Sequence, residues 1–335
     1  MTPAPLLLLF ALNVQGSPLQ VTLATDEPEA VLRILDARAR SDGVSPRAWR
    51  RLFASEGYRR LARRETALGR TFSDSAFREF VLSDTLLARR DALKQTLAIW
   101  RHADIHPAGR QALDYLRPGT ILSARIYLEI KPRTNSFVFF GDSLQPALFL
   151  HLNPEVGPEK FTNTLTHELH HIGYTAACNT PSGLAPRLAA TLRWLGGFGE
   201  GLAMLAAAGG PDVHPHASSS PGTRIEWDDN VAASAQHFPD FERFYNRILD
   251  GQLVGDDSIF RAAESFYGAQ GPFYTVGWLM WSTIERDQGR ARVVTIECDP
   301  RAFLRTYNDI AGRRNAAGEN LPRWSEAFLA RLGGS

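Results

Sequence analysis

Five consecutive residues, His167-Glu168-Leu169-His170-His171, constrain this chain more than any others. Two histidines four positions apart can serve one ion only if a helix carries them. At 100° per residue, His167 and His171 then lie about 40° apart and aim at one spot. Glu168 sits about 60° further round from His171, near enough to reach a water held there without binding the ion itself. His170 falls about 60° to the other side of His167 and is the poorer ligand. Phe161, Leu165, Leu169 and Ile172 form a stripe on roughly the opposite side. One face of the helix can therefore pack on a core while the other opens into a cleft.

A catalytic zinc ion takes three protein ligands and keeps a fourth position for water. One familiar long form of the motif would place a glycine and then a third histidine downstream, but Tyr174 and Ala177 occupy those positions. Glu200, in Gly196-Gly197-Phe198-Gly199-Glu200-Gly201-Leu202-Ala203, is the better third ligand. Glycine is costly inside a helix. Four of them around one glutamate suggest a helix start whose backbone approaches the metal helix closely. A carboxylate also suits two histidines as a zinc ligand set. His214, His216 and His237 are weaker candidates, the first two because loops position ligands less well than helices do. Tyr274, in Gly271-Pro272-Phe273-Tyr274-Thr275-Val276-Gly277, is the candidate donor to a developing oxyanion. It opens a helix running to about Asp287, with Phe273, Gly277, Met280 and Ile284 as a core stripe. The helix pattern by itself would equally suit a core or rim aromatic at Tyr274.

Around these motifs the chain reads as helices, a small sheet, then helices. From Asp26 to Leu116 apolar residues recur at helical spacing, with breaks at Gly43-Val44-Ser45-Pro46, Thr71-Phe72-Ser73-Asp74 and His106-Pro107. After Arg117-Pro118-Gly119 three strands follow, at 125–130, 136–140 and 147–152, which predict a small, mainly antiparallel sheet. From Pro158 onward the reading is helical again, with a loop from Gly209 to Gly222. The expected class is α+β, mostly helical. Its expected organisation is an N-terminal helical region (26–118) and a catalytic region (119–335) forming one compact unit. Within the latter lie the sheet (121–152), the metal helices (158–208) and a C-terminal helical part (224–332).

With 37 basic against 36 acidic side chains, the net charge of +1 argues against a nucleic-acid partner. Residues 1–16 carry an apolar run, Leu6 to Leu12, ahead of Val14 and Gly16, in the pattern of a cleaved export signal. The run is too short to span a bilayer, and no later segment reads as a span. Export to the periplasm or medium is the expectation, although Met1 to Pro5 lacks the usual Lys or Arg. Cys178 and Cys298 would be free to pair in an exported protein and would be small core residues in a cytosolic one.

Taken together, His167-Glu168-Leu169-His170-His171, Glu200-Gly201-Leu202-Ala203 and Tyr274-Thr275-Val276-Gly277 resemble, in order, the pattern of the gluzincin metallopeptidases. More narrowly, the chain resembles bacterial zinc-dependent peptidases catalogued as a domain of unknown function, over roughly Arg125 to Gly289. The resemblance implies a thermolysin-like core, with the strand Ala147 to Leu152 as the edge that lies over the active-site helix and holds an extended peptide by strand addition. It also implies one zinc ion on His167, His171 and Glu200, with Glu168 as general base, Tyr274 as oxyanion donor and a peptide or protein as substrate. The helical segment from Asp26 to Leu116 matches no element shared across that clan. A second reading is a non-catalytic zinc-binding protein of the cell envelope, in which the ion only staples two helices. The sequence leaves oligomeric state and cleavage specificity open.

Overall fold

The computed structural model describes residues 17–141, 145–179, 182–268 and 270–333. The leader-like residues 1–16 lie outside the described residues. Strand β1 (Leu19–Ala24) leads into α1 (Asp26–Ala39), α2 (Pro46–Ala54), α3 (Glu56–Ala67), α4 (Asp74–Val81), α5 (Asp84–Ala88), α6 (Arg90–Trp100) and α7 (His106–Leu113). Strands β2 (Leu122–Glu129), β3 (Phe137–Phe139) and β4 (Ala147–His151) follow. Next come α8 (Pro158–Ala177), α9 (Pro186–Leu195), a 3₁₀ turn at Gly196–Phe198 and α10 (Gly199–Ala208). The remainder is α11 (Pro221–Ala232), α12 (His237–Leu249), α13 (Asp256–Tyr267), α14 (Pro272–Gln288), α15 (Arg290–Ile296), α16 (Pro300–Ala316) and α17 (Glu326–Gly333). Serine starts many of the early helices. Ser45, Ser55, Ser73 and Ser83 each accept a hydrogen bond from the backbone N–H three residues on, satisfying a donor that the helix leaves orphaned.

The chain is mostly helical with one small sheet, as the sequence predicts, but the sheet is mixed and not mainly antiparallel. Its order is β1-β2-β4-β3, with β1 parallel to β2, β2 parallel to β4, and only β3 antiparallel to β4. Alternation of apolar residues identifies a strand but carries no information about its partner or direction. The first strand, β1, is absent from the sequence reading, although its residues alternate in burial along its length. A second correction concerns β4, expected at the edge. It lies between β2 and β3, and all five of its residues are buried, as befits an interior strand whose apolar run is unbroken. The edges are β1 and β3.

Two apolar clusters fill the molecule. One gathers Val31, Ile34 and Leu35 of α1, the sheet residues Ile126, Leu128 and Phe149, and the stripe of α8 that the sequence predicts to face inward: Phe161, Leu165, Leu169 and Ile172. The other is rich in aromatics and gathers Phe198, Leu202, Phe241, Phe273, Trp281 and Trp324 among others. Helix α8 is thus seated on the sheet by one face, leaving its histidine face toward α10.

The far end of α8 is fastened at two points to the segment around Glu297, which is itself tied to Arg117. Cys178, directly after the helix, is disulfide-bonded to Cys298 across 120 residues of sequence. Tyr174 donates its hydroxyl hydrogen to the Glu297 carbonyl (3.2 Å), and Glu297 Oε1 accepts from the Arg117 backbone N–H (2.8 Å). Burial pushes the Glu297 carboxyl from an ordinary 4.5 up to about 7, against the opposing effect of the Arg117 N–H. Because the folded-state pKa is raised, this group favours folding fully below about 4.5 and loses that contribution as pH climbs to about 7, with no further change above. Glu297→Gln keeps the acceptor for Arg117 and removes the charge. It is therefore expected to gain about 2 kcal/mol over the parent at pH 8 and little at pH 4. Urea melts at the two pH values check this, and an equal effect at both would contradict it.

Candidate metal centre

The site is built on α8, a 20-residue helix that begins with Pro158 at its first turn and Glu159 beside it, both favourable at a helix N-terminus. His167 and His171 project from it one turn apart, with ring planes at 86° and Nε2 atoms 3.1 Å from each other. Glu200, in the first turn of α10, places Oε2 2.9 Å from His171 Nε2 and 3.4 Å from His167 Nε2. Glu200 Oε2 can accept from both rings, but two N–H groups would then face each other across 3.1 Å, a contact that a cation among the three would relieve. Tetrahedral bonds of about 2.0–2.1 Å put ligand atoms roughly 3.3–3.4 Å apart, close to the separations found here. The three residues fit zinc.

Charge and burial are balanced within the trio. Burial alone would raise the Glu200 carboxyl, but His171 and His167 outweigh it and hold it well below the ordinary carboxylate range. Burial alone would lower His171, but Glu200 outweighs it and lifts the imidazole to about 9. Glu168 is pushed up chiefly by burial, with the two histidines pulling the other way. His170 is fully buried, one of its nitrogens lies 3.4 Å from the Tyr115 carbonyl, and burial drives its pKa down to about 3. It belongs to the packing of α8 and not to the trio, as its angle on the helix predicts.

The glycine cluster places Glu200 by packing α10 against α8, as expected, and most tightly against α14. Gly201 lies against α14, and a Cβ built on it would fall inside contact distance of Gly277 Cα, the Gly277 carbonyl carbon and the Trp278 nitrogen. On the other side, Gly277 faces the Phe198 carbonyl and the Gly201 backbone. Toward α8, a Cβ built on Gly199 would lie about 3.9 Å from the Tyr174 ring. The close backbone approach therefore joins α10 to α14. The Trp281 indole N–H donates to the Phe198 carbonyl (3.1 Å) and locks the pair. The other end of α10 is held from α7 and α8: Gln111 donates to the Ala206 and Ala207 carbonyls, and Asn163 to Ala207 (3.1 Å).

Since α14 is fixed on α10, its first turn brings Tyr274 to the trio. The Tyr274 ring lies nearly parallel to that of His167, 6.2 Å between centroids. Burial, then the Glu200 and Glu168 carboxylates, raise its pKa strongly, so the phenol keeps its proton. All five residues singled out from the sequence, His167, Glu168, His171, Glu200 and Tyr274, thus belong to one locality. Residues 49–316 match the family described as "Putative zinc dependent peptidase (DUF5700)". The chain belongs to that family. No curated protein and no solved structure matches it. The family match begins at Trp49, so most of the N-terminal helical segment that lacked a counterpart across the gluzincins lies within this family's own domain.

Among the other histidines, His214 pairs with Asp228 (3.1 Å), and His237 opens α12 outside the trio. His216 also lies outside the trio, and it lines a cavity of about 160 Å³ together with Lys160, Thr164, His167, Trp227 and Tyr274. A second cavity, of about 280 Å³, opens beside Glu168 and is lined by Trp100, Ser136, His151, Lys160 and Thr164 among others. Sequence reasoning passed over Lys160 and His151. The one available signal was the spacing of seven between Lys160 and His167, which puts both on one helix face.

Proposed function

We propose that the chain is a zinc metallopeptidase that hydrolyses peptide bonds, with His167, His171 and Glu200 holding one zinc ion. The convergence of two imidazole nitrogens and a carboxylate oxygen, all within 4.8 Å of one another, carries this reading. Glu168 adjoins His167 on the same helix, a residue for which a purely structural site has no use. Zinc, when bound, supplies a Lewis acid that polarises a carbonyl and brings the pKa of a water toward neutrality. Glu168 takes the proton from the attacking water on a carboxylate oxygen and returns it to the leaving amine nitrogen. Tyr274 donates its phenolic hydrogen to the oxygen on which negative charge develops. Trp227, Met204 and Trp100 in the cavity walls limit water around these groups. The order of the three motifs supports a gluzincin-type, thermolysin-like core. Export is part of the proposal, supported by the leader-like residues 1–16 and by the Cys178–Cys298 bond, a feature of oxidising compartments.

Metal analysis of the purified protein, with cleavage of a mixed peptide library, tests the reading. One zinc per chain is expected, with cleavage that stops on chelation and returns on adding zinc. Stoichiometric zinc without cleavage would favour a staple between α8 and α10. Absence of bound zinc would sink the metal site itself.

A further inference from the structure

Lys160 stands in the first turn of α8, seven residues before His167. Seven residues bring it back to within about 20° of the same helix face, about 10 Å along the axis. It lines both cavities, the one containing His167 and Tyr274 and the one containing Glu168. Among the described residues no carboxylate pairs with it; its hydrogen bond is a long one, to Asn163 Oδ1 at 3.4 Å. The other two lysines of the chain are provided for. Lys94 pairs with Asp36, and Lys131 donates to the Arg133 and Asn135 carbonyls. Burial lowers the Lys160 pKa with no anion opposing it. A half-buried cation without a counter-charge is costly, and a ligand anion would offset that cost.

His151, at the end of β4, is a second unsatisfied group in the wall of the cavity beside Glu168. It is 9% exposed, and neither ring nitrogen has a hydrogen-bond partner among the described residues. Burial, with Lys131 and Arg89 nearby, drives its pKa down to about 4, so the ring is neutral near pH 7 and has one N–H to donate. Lys160 and His151 therefore give this cavity a cation and a neutral donor. Glu168 lies on its rim. If Glu168 returns its proton to the leaving amine, the part of the substrate beyond the scissile bond extends into this cavity.

We propose that Lys160 and His151 form a carboxylate subsite on the leaving-group side of the cleft. It takes either an Asp or Glu side chain or the terminal α-carboxylate of a substrate, and the proposal rests on the peptidase reading. The test uses four versions of one N-blocked Ala-Ala-Phe-Xaa-Ala peptide, with Glu or Gln at Xaa and a free or amidated C-terminus. Cleavage is measured with the zinc-loaded protein, and binding with its Glu168→Gln variant. Acidic forms are expected to show a KM and a Kd about tenfold or more below the neutral form. Lys160→Met should erase that difference, Lys160→Arg should restore part of it, and His151→Phe should reduce it. Zinc content confirms that each variant is folded. Discrimination of Glu from Gln alone assigns the subsite to a side chain, and of acid from amide alone to the chain terminus. Equal handling of all four peptides by the parent, or a preference that survives Lys160→Met, overturns the subsite. Charge-dependent binding without cleavage would keep the subsite and overturn the peptidase reading, whereas cleavage blind to charge would do the reverse.

Discussion

Glu168→Gln is expected to lower kcat about 10²–10⁴-fold while one zinc per chain stays bound. The amide has nearly the shape of the carboxylate, so the packing of α8 is undisturbed. It cannot accept the proton of the attacking water, and it has none to give to the leaving amine. Because Glu168 is outside the trio of His167, His171 and Glu200, metal content should not follow activity. That separation is the informative part. Substitution of Glu200 would remove both together and so say little about proton transfer. Steady-state kinetics beside metal analysis decide the matter, and a variant that stays fully active would exclude Glu168 as the base.

Gly201→Ala should do damage of a different kind. The added methyl group meets the main chain of Gly277 and Trp278, which cannot rotate aside as a side chain can. Either α10 moves away from α14 or the substitution is not accommodated, and overpacking of this sort costs about 3 kcal/mol or more. The displacement would fall on the turn that carries Glu200, since Gly201 is its neighbour. Thermal unfolding should show the lost stability, and zinc affinity should fall even though no ligand has changed. A variant with parental stability and affinity would mean that the contact between α10 and α14 does not position Glu200.

Helical spacing made the metal helix legible from the sequence, because 3.6 residues per turn fixes both which residues share a face and which face is apolar. His167, His171 and the stripe from Phe161 to Ile172 needed nothing more. Glu200 was signalled by its glycines, and α10 does pack on α8, but the tightest backbone approach, at Gly201, is to α14. A glycine announces that something comes close without saying what. The sheet was less legible for a related reason. Alternation marks a strand, whereas the pairing of β2 with both β1 and β4 depends on contacts across more than 100 residues in the first case. The apolar run of β4 did not mark it as interior, since Phe137–Phe139 at the edge is equally apolar; only burial in the folded chain separates them. Lys160 and His151 were invisible because what distinguishes them is a lack of partners, which only the folded chain displays.

The three candidate ligands are divided between the two apolar clusters. His167 and His171 ride on a helix whose inward stripe belongs to the cluster around the sheet, and Glu200 begins a helix whose Leu202 belongs to the aromatic one. An ion held by all three is thus a rivet between two bodies of core, and the strength with which it is held becomes a gauge of how well they are seated on one another. Anything that lets one body slip, whether heat, a cavity or a broken Cys178–Cys298 bond, would reach the reaction first as a loosened metal and only later as an unfolded chain.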